Sequence, residues 1–531
     1  MKKHCVILVL LLSCGLPSLA YEGESVLSAM KRATKYMMEV ASYEGGFVWS
    51  YLPDYSRQWG ELEARRTMVW LQPPGTPAVG HLMLNAYHAT TDEYYYQCAK
   101  KIADVLMKGQ LPCGGWNYVF DLEGEEALKQ WYATIGKQAW RLEEFQHYYG
   151  NATFDDGGTM QAAEFFLRMY LEEKTKTKDG NNRYEEPLNK AIRFVLDSQY
   201  DNGGWPQRYP LMYDHPFRDM ADYTSFITLN DDVIIDAIEF LQHCSEALHR
   251  PELKAAAERA MLLVARLQSS KVNNQKSTVE GRFSGWADQY TVNDLQPAHA
   301  RSYEPRSINT GTTAKVVRLM LSYYRQTGNK VFLQGVPDAI NWLRSQKLSA
   351  AASVKWGRKP RRAGDILVPR FIHPETGKPM YVHRVGSNVK NGHYYTDDDI
   401  SSTIAHYSSA TYVNPDTLWA EYQRTIATNN TQQSIVNSQR SIVNSQQSTV
   451  ETAAIISSLT PEGYWLTPLR QISNPYKPLS KKMKQSNDKQ YQSTMVGDEY
   501  DTSPYTPDTP VMGISTQTFL INMTLLIRSL K

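Results

Sequence analysis

Apolar positions recur at helical spacing in four successive stretches of this chain, and the stretches share a common punctuation. The first runs L-M-L-N-A-Y-H-A-T-T-D-E-Y-Y-Y from Leu82, continues through an alanine-bearing helix, and reaches Gln110 and a C-G-G-W turn ending at Trp116. The second runs F-F-L-R-M-Y-L, then A-I-R-F-V-L-D-S, then Gln199 and an N-G-G-W turn ending at Trp205. In both, glutamine precedes tryptophan by six residues. A third unit carries Gln268 and an S-G-W turn ending at Trp286, with twelve extra residues that coincide with the polar run Ser270 to Glu280, read as an inserted loop. A fourth ends at Gln346 without the tryptophan. Each unit predicts a helical hairpin whose apolar face needs a neighbour, so the series predicts an all-α fold, an (α/α) toroid or incomplete α/α barrel, with an all-α solenoid as the structural alternative. Gln110, Gln199 and Gln268 should then sit at equivalent ends of successive hairpins.

The two ends of the chain break this pattern. Residues 1–20 have a basic start, an apolar core from Val6 to Leu12 and a small-residue site at Ser18-Leu19-Ala20, the form of a secretory signal. Leu11-Leu12-Ser13-Cys14 also fits a lipoprotein box with Cys14 as the lipidated residue. No other apolar run is long enough to span a bilayer, so the expected mature chain is exported, soluble or lipid-tethered, and monomeric. In 21–80 the block from Trp49 to Arg66 supplies Trp49, Tyr51, Arg57, Trp59, Glu61 and Glu63, expected to cover one end of the fold more than to line a sugar cleft. The tandem S-I-V-N-S-Q repeat in 425–451 reads as a low-complexity insertion, and 452–531 as an appended C-terminal cap, leaving 21–424 as the catalytic toroid.

Charge adds little: a net +2 points to no nucleic acid and no particular partner, so any taste for acidic substrates must come from locally clustered cations. The cysteines beyond the leader, Cys98, Cys113 and Cys244, are too few for a disulfide scaffold, although Cys98 and Cys113 could pair in an oxidising compartment.

The candidate chemistry lies at two predicted helix starts. Asp155-Asp156 precede the helix A-A-E-F-F-L-R-M-Y-L, and Asn230-Asp231-Asp232 open the helix bearing Ile234, Ile235, Ile238 and Leu241, one repeat later. Taken alone, helix capping is the commoner use of such residues. Two acidic pairs on one rim can also hold a hard cation through oxygen ligands.

The stretch G-G-W-P-Q-R-Y-P from Gly203 to Pro210, with I-T-L-N-D-D from Ile227 to Asp232, resembles the pectate lyases of polysaccharide lyase family 10, which carry G-G-W-P-Q-F-Y-P and I-T-F-N-D-D. Further segments extend the resemblance over roughly 110–390: T-F-D-D at Asp155 beside the family's T-I-D-N, P-A-H-A-R-S-Y-E-P around Arg301 beside A-P-A-R-A-Y-E-P, and P-R-F-I-H-P to V-H-R at Arg370 and Arg384. The resemblance independently implies a toroid. It implies calcium-assisted β-elimination of α-1,4-linked galacturonan, with Arg301 as base, Arg370 and Arg384 on substrate carboxylates, and Asp155 and Asp231 on Ca2+ and uronate. Asp232 joins the expected metal set, and Trp205 is expected at the substrate. Composition alone would leave each arginine a surface or ion-pair residue.

The departures are Asp156 for an Asn, Phe226 for a His, Thr312-Thr313 for Glu-Ser, His373 for a Glu and Val385 for an Asp, with Asn117-Tyr118 near a family Lys. Asp156 changes the local charge at the expected cation site, while the others fall on subsite positions, so the reaction class is better supported than homogalacturonan as substrate. Other readings are a catalytically silent pectin-binding protein, an inverting glycosidase of the same fold using a carboxylate pair, and a toroidal terpene cyclase reading N-D-D as its acidic motif, which export argues against.

Overall fold

The periodic stretches form helices, as their spacing requires. The structure is a computed structural model that describes residues 25–136, 150–177, 181–211, 220–268, 284–356, 360, 362–385, 393–401, 403–404, 410–428, 445–469, 472–473, 504–505 and 511–530. The expected leader with Cys14, the polar run 270–280 and most of the 425–451 insertion lie outside the described residues. In chain order the helices are α1 (Val26–Tyr36), α2 (Thr76–Thr90), α3 (Glu93–Gly109), α4 (Glu125–Thr134), α5 (Gly158–Lys176), α6 (Glu185–Asp197), α7 (Val233–Leu248), α8 (Pro251–Arg266), α9 (Thr310–Thr327), α10 (Val336–Ser345), α11 (Ala350–Trp356), α12 (Pro415–Thr428), α13 (Ser445–Ser457) and α14 (Thr516–Ser529).

Hairpins α2/α3, α5/α6, α7/α8 and α9/α10 pack internally, and α2 lies against α5 and α5 against α7. Outer helices show one apolar stripe: α8 buries Leu253, Ala256, Ala257, Ala260, Met261 and Val264, the i, i+3, i+4 pattern of a helix covered on one side. The inner α9 buries residues over most of its circumference, from Thr312 to Tyr324, because it meets neighbours on several sides. The result is an incomplete (α/α) toroid, decorated on one rim by short antiparallel strands.

The repeated turns tie one hairpin to the next. Gln110 Nε2 donates to Gly114 O (2.8 Å) in its own turn and to Pro187 O (3.0 Å) on α6. Gln199 does the same with Gly203 O (3.1 Å) and Ala256 O (3.0 Å) on α8, and Gln268 with Ser284 O (3.2 Å) and Gly335 O (2.9 Å) at the start of α10. These are equivalent ends, as the spacing predicts. The tryptophans are equivalent too: the indoles of Trp116, Trp205 and Trp286 donate to Leu106 O, Val195 O and Val264 O at 2.7 to 2.8 Å. Only glycine fits the turns, because Gly114 and Gly203 have φ of +95° and +98° and a Cβ there would lie 2.1 Å from Lys190 O and 2.6 Å from Arg259 O.

The C-terminal region contains a further copy of this turn that sequence spacing did not reveal. Trp465 donates to Ile455 O (3.0 Å), and Gly463 takes φ +105° against Arg32 O of α1. Helix α13 pairs with α14, α14 packs on α1 and α2, and strand Val511–Ser515 pairs with Ser50–Tyr51. The chain's last hairpin thus sits beside its first. Cys98, Cys113 and Cys244 are free thiols, so Cys98 and Cys113 are not bridged. No helix among the described residues is long and apolar enough to cross a membrane.

Candidate active site

The rim that carries the glycine–tryptophan turns also carries the starts of the inner helices. Most helix starts whose caps are built from side chains look ordinary: Asp92 caps α3 through Tyr94 N, Asn309 caps α9 through Gly311 N and Thr312 N, and Ser515 caps α14 through Thr518 N. The acidic starts of α5 and α7 differ. Neither has a side-chain cap hydrogen bond, so capping does not account for Asp155, Asp156, Asp231 or Asp232. Instead a tight turn precedes each helix, and Asp156, Asp231 and Asp232 take φ of +54°, +51° and +61°. That region is uncommon for residues with a side chain, though Asp is among those that tolerate it, and such strain concentrates at functional sites.

The turns bring acids from both repeats together. Asp155, Asp156 and Asp231 each offer an oxygen within 4.8 Å of the others. Asp232, expected in this set, instead pairs with Lys315 on α9 at 2.7 Å, and Asp156 takes its place. Oxygen donors so close suit a hard cation such as Ca2+. Beside them, Asn230 Nδ2 donates to Asp231 Oδ2 (3.0 Å), and its buried amide oxygen has no hydrogen-bond partner among the described residues. Burial and the charges of Asp155 and Asp156 push the Asp231 carboxyl well above the usual carboxylate range, with Arg301 pulling it the other way.

Arg301 lies in the centre, fully buried. Its Nη2 donates to Asp155 Oδ2 (2.6 Å), its Nη1 donates to Glu304 Oε2 (2.9 Å), and Asp231 Oδ2 is 3.7 Å away. Burial raises the Glu304 carboxyl, against the pull of Arg301. The guanidinium also stands over the Tyr223 ring, 5.7 Å from its centroid. The other two expected arginines lie on or beside strands that pack against Tyr303, two residues from Arg301. Tyr303 clusters with Phe371, which follows Arg370, and with Val382, which shares a strand face with Arg384. Arg384 lies opposite Tyr394 in the Pro379–Val385/His393–Asp397 ladder, and the Tyr394 ring is 5.3 Å from that of Tyr303. On the other strand face His383 bonds to Asp397 Oδ1 (2.8 Å) and Asp399 O (3.0 Å).

Trp205, expected at the substrate, instead occupies the same packing position as Trp116 and Trp286, buried with its indole N–H bonded to Val195 O (2.7 Å) inside the repeated turn. Trp59 and Tyr51 are buried as well, consistent with the covering role expected of that block. Of the departures, Thr312 donates to Asp288, Thr313 to Asn309 O, Phe226 packs edge-on to His299, and the half-exposed His373 pairs with Glu375 (3.1 Å).

Sequence reasoning assigned no role to a set of residues that the repeat itself marks. The second residue after each turn tryptophan is Tyr118, Gln207 or Asp288. The Tyr118 hydroxyl donates to Asp155, the start of the next inner helix, and Asp288 accepts from Asn309 Nδ2 (2.7 Å) at the start of α9. Gln207 is wholly buried, and neither side-chain amide atom has a partner among the described residues; its backbone carbonyl accepts from the N–H of Phe154, the residue before Asp155.

Against known proteins, the sequence matches the pectic acid lyase family over residues 128–399, just over half of the chain. The chain belongs to the pectic acid lyase family. It is a polysaccharide lyase. No curated protein matches it by sequence. Among solved structures, it is similar to a family 10 polysaccharide lyase from Cellvibrio cellulosa, with 19% identity, 64% of this chain and 95% of that chain covered, and a TM-score of 0.42. A mutant of a Cellvibrio cellulosa family 10 lyase in complex with trigalacturonic acid gives 18% identity, 66% and 98% coverage and a TM-score of 0.42. A family 76 α-mannanase from Bacteroides thetaiotaomicron gives 10% identity, 65% and 74% coverage and a TM-score of 0.36.

Proposed function

We propose that this pectic acid lyase family member is an exported, calcium-dependent pectate lyase that cleaves α-1,4-linked galacturonan by β-elimination, with Arg301 as the base. The observation that carries the reading is the meeting of Arg301 with Asp155 and Asp231, from two different repeats, at helix starts where none of the acids caps.

The reaction removes the proton at C5 of a uronate, α to its carboxylate, forms the C4–C5 double bond, and expels the glycosidic oxygen from C4, which leaves with a proton. Arg301 takes the C5 proton. A guanidinium with an ordinary pKa above ~12 is a poor base, and three flanking carboxylates favour its charged form. A divalent cation held by Asp155, Asp156 and Asp231 would cancel that negative charge and polarise the uronate carboxylate. Arg370 and Arg384 bind the substrate carboxylates, where fixed positive charge opposes the negative charge that builds up in the transition state. Glu304 and Tyr118 hold Arg301 and Asp155 in place.

Incubation with polygalacturonate, with and without calcium, tests this by release of unsaturated products that absorb in the ultraviolet. A hydrolase or a silent binder releases none. Arg301→Ala should cut turnover at least ~100-fold, with substrate binding weakened less. Arg301→Lys keeps the charge but loses the planar fork. Near-normal turnover in that variant, at saturating calcium and uronate, would leave Arg301 as a substrate clamp and remove it as the base.

A further inference from the structure

We infer that Gln72, which lies outside the family match, is a positioning residue for the acidic cluster. This rests on the cation reading above. The route from sequence to contact begins with the strand Met68–Trp70, which pairs with Val119–Asp121, and Leu71 N donates to Tyr118 O (2.8 Å). The segment is therefore laid beside the residue that contacts Asp155. Helix α5 comes close to it as well, since a Cβ on Gly158 would lie 3.1 Å from the Gln72 backbone nitrogen.

The Gln72 side chain is 1% exposed and its orientation is fixed. Trp70 Nε1 donates to Gln72 Oε1 at 2.7 Å, and an indole N–H can only donate, so the amide oxygen must face the indole and the NH2 must face away. Trp70 is itself immobilised edge-on to Trp49 (6.2 Å) and Trp131 (6.1 Å). The two amide hydrogens then go to Asp156 Oδ2 (2.7 Å) and Glu61 Oε2 (3.2 Å). One neutral group thus holds two carboxylates in place. A lysine or arginine there would also hold them, but would cancel the charge that a cation needs. Gln72 orients Asp156 while leaving the cluster its full negative charge, and the N-terminal block supplies Glu61 as a second acid at its edge.

Ligand-orienting partners of this kind change metal affinity by ~10–100-fold when removed. The test is calcium binding by isothermal titration on the full chain without substrate, beside thermal melts of the metal-free protein. Gln72→Leu should weaken calcium binding at least ~10-fold and raise the calcium concentration for half-maximal activity, with kcat at saturating calcium largely kept. Trp70→Phe, which keeps an aromatic ring, though a smaller one, and removes the N–H, should shift calcium affinity in the same direction by less. If Gln72→Leu does not fold, Trp70→Phe carries the test. Calcium affinity within twofold of wild type in the folded variants overturns the inference and leaves the cation reading standing. A wild-type chain that binds no calcium overturns both.

Discussion

The turns after the outer helices and the starts of the inner helices share one rim, yet they are built on opposite plans. Each glutamine turn is neutral, fully hydrogen-bonded and repeated with the same partners around the ring. The helix starts occupy equivalent places but differ from repeat to repeat: a capping Asn309 at α9, a strained acidic turn at α5 and another at α7. Identical elements hold the ring together, while the elements free to differ carry the charge. Stability and chemistry are therefore separable within a few residues of one another.

Three experiments would break or sharpen that division. Trp205→Ala should have the largest effect, costing about 3–5 kcal/mol of stability, because it removes a wholly buried indole from a packed turn. Chemical denaturation would measure it, and an unchanged midpoint would mean the turns are not what holds the hairpins. Asp231→Asn keeps a residue that tolerates positive φ and removes a partly buried carboxylate beside Asp155. Turnover should fall ~100-fold or more, while the melting temperature of the metal-free protein stays level or rises. A clear loss of stability would show that the acidic starts also support the fold.

The smallest effect concerns Asp236, one turn into α7, whose carboxyl burial raises to about 7, with Asp232 adding to the rise. The folded chain holds this proton more tightly than the unfolded chain, so the group stabilises at low pH and that contribution is lost as pH rises through about 7. Asp236→Asn should match wild type near pH ~4 and melt higher near pH ~8, by on the order of 1 kcal/mol. Parallel melting curves across that range would confine the electrostatic cost to the first turn of the helix.

The ring was legible in the sequence because its signals are local: apolar spacing within a helix, and Gln110 or Gln199 six residues before a tryptophan. The last copy of the turn escaped because Gly463-Tyr464-Trp465 lacks both the glutamine and the second glycine. The meeting of Asp155 with Arg301 spans 146 residues and was visible only through resemblance. Gln72, 84 residues from Asp156, and Tyr118, 37 from Asp155, were not visible, since nothing in residue type shows which way a buried amide or phenol points. The sequence also cannot choose between adjacent acids. Backbone turns with positive φ sent Asp232 to Lys315 and left Asp156 with the cluster. Residue type alone does not separate a sugar-facing tryptophan from a packing one, and for Trp205 it is the recurrence at Trp116 and Trp286, with the same indole bond, that marks packing.

The seam between the first and last hairpins has a consequence for how the chain comes to be folded. The Thr516 hydroxyl donates to Val48 O across 468 residues of sequence, and Trp49 O accepts from Thr516 N beside it. The middle hairpins can assemble against neighbours already made, in the order of synthesis. The first cannot: its edge stays uncovered until the segment carrying Thr516, 468 residues further along, has been made, and closing so long a loop is slow. Loss of α14 would therefore leave α1 and α2, made long before it, as an exposed, aggregation-prone flank.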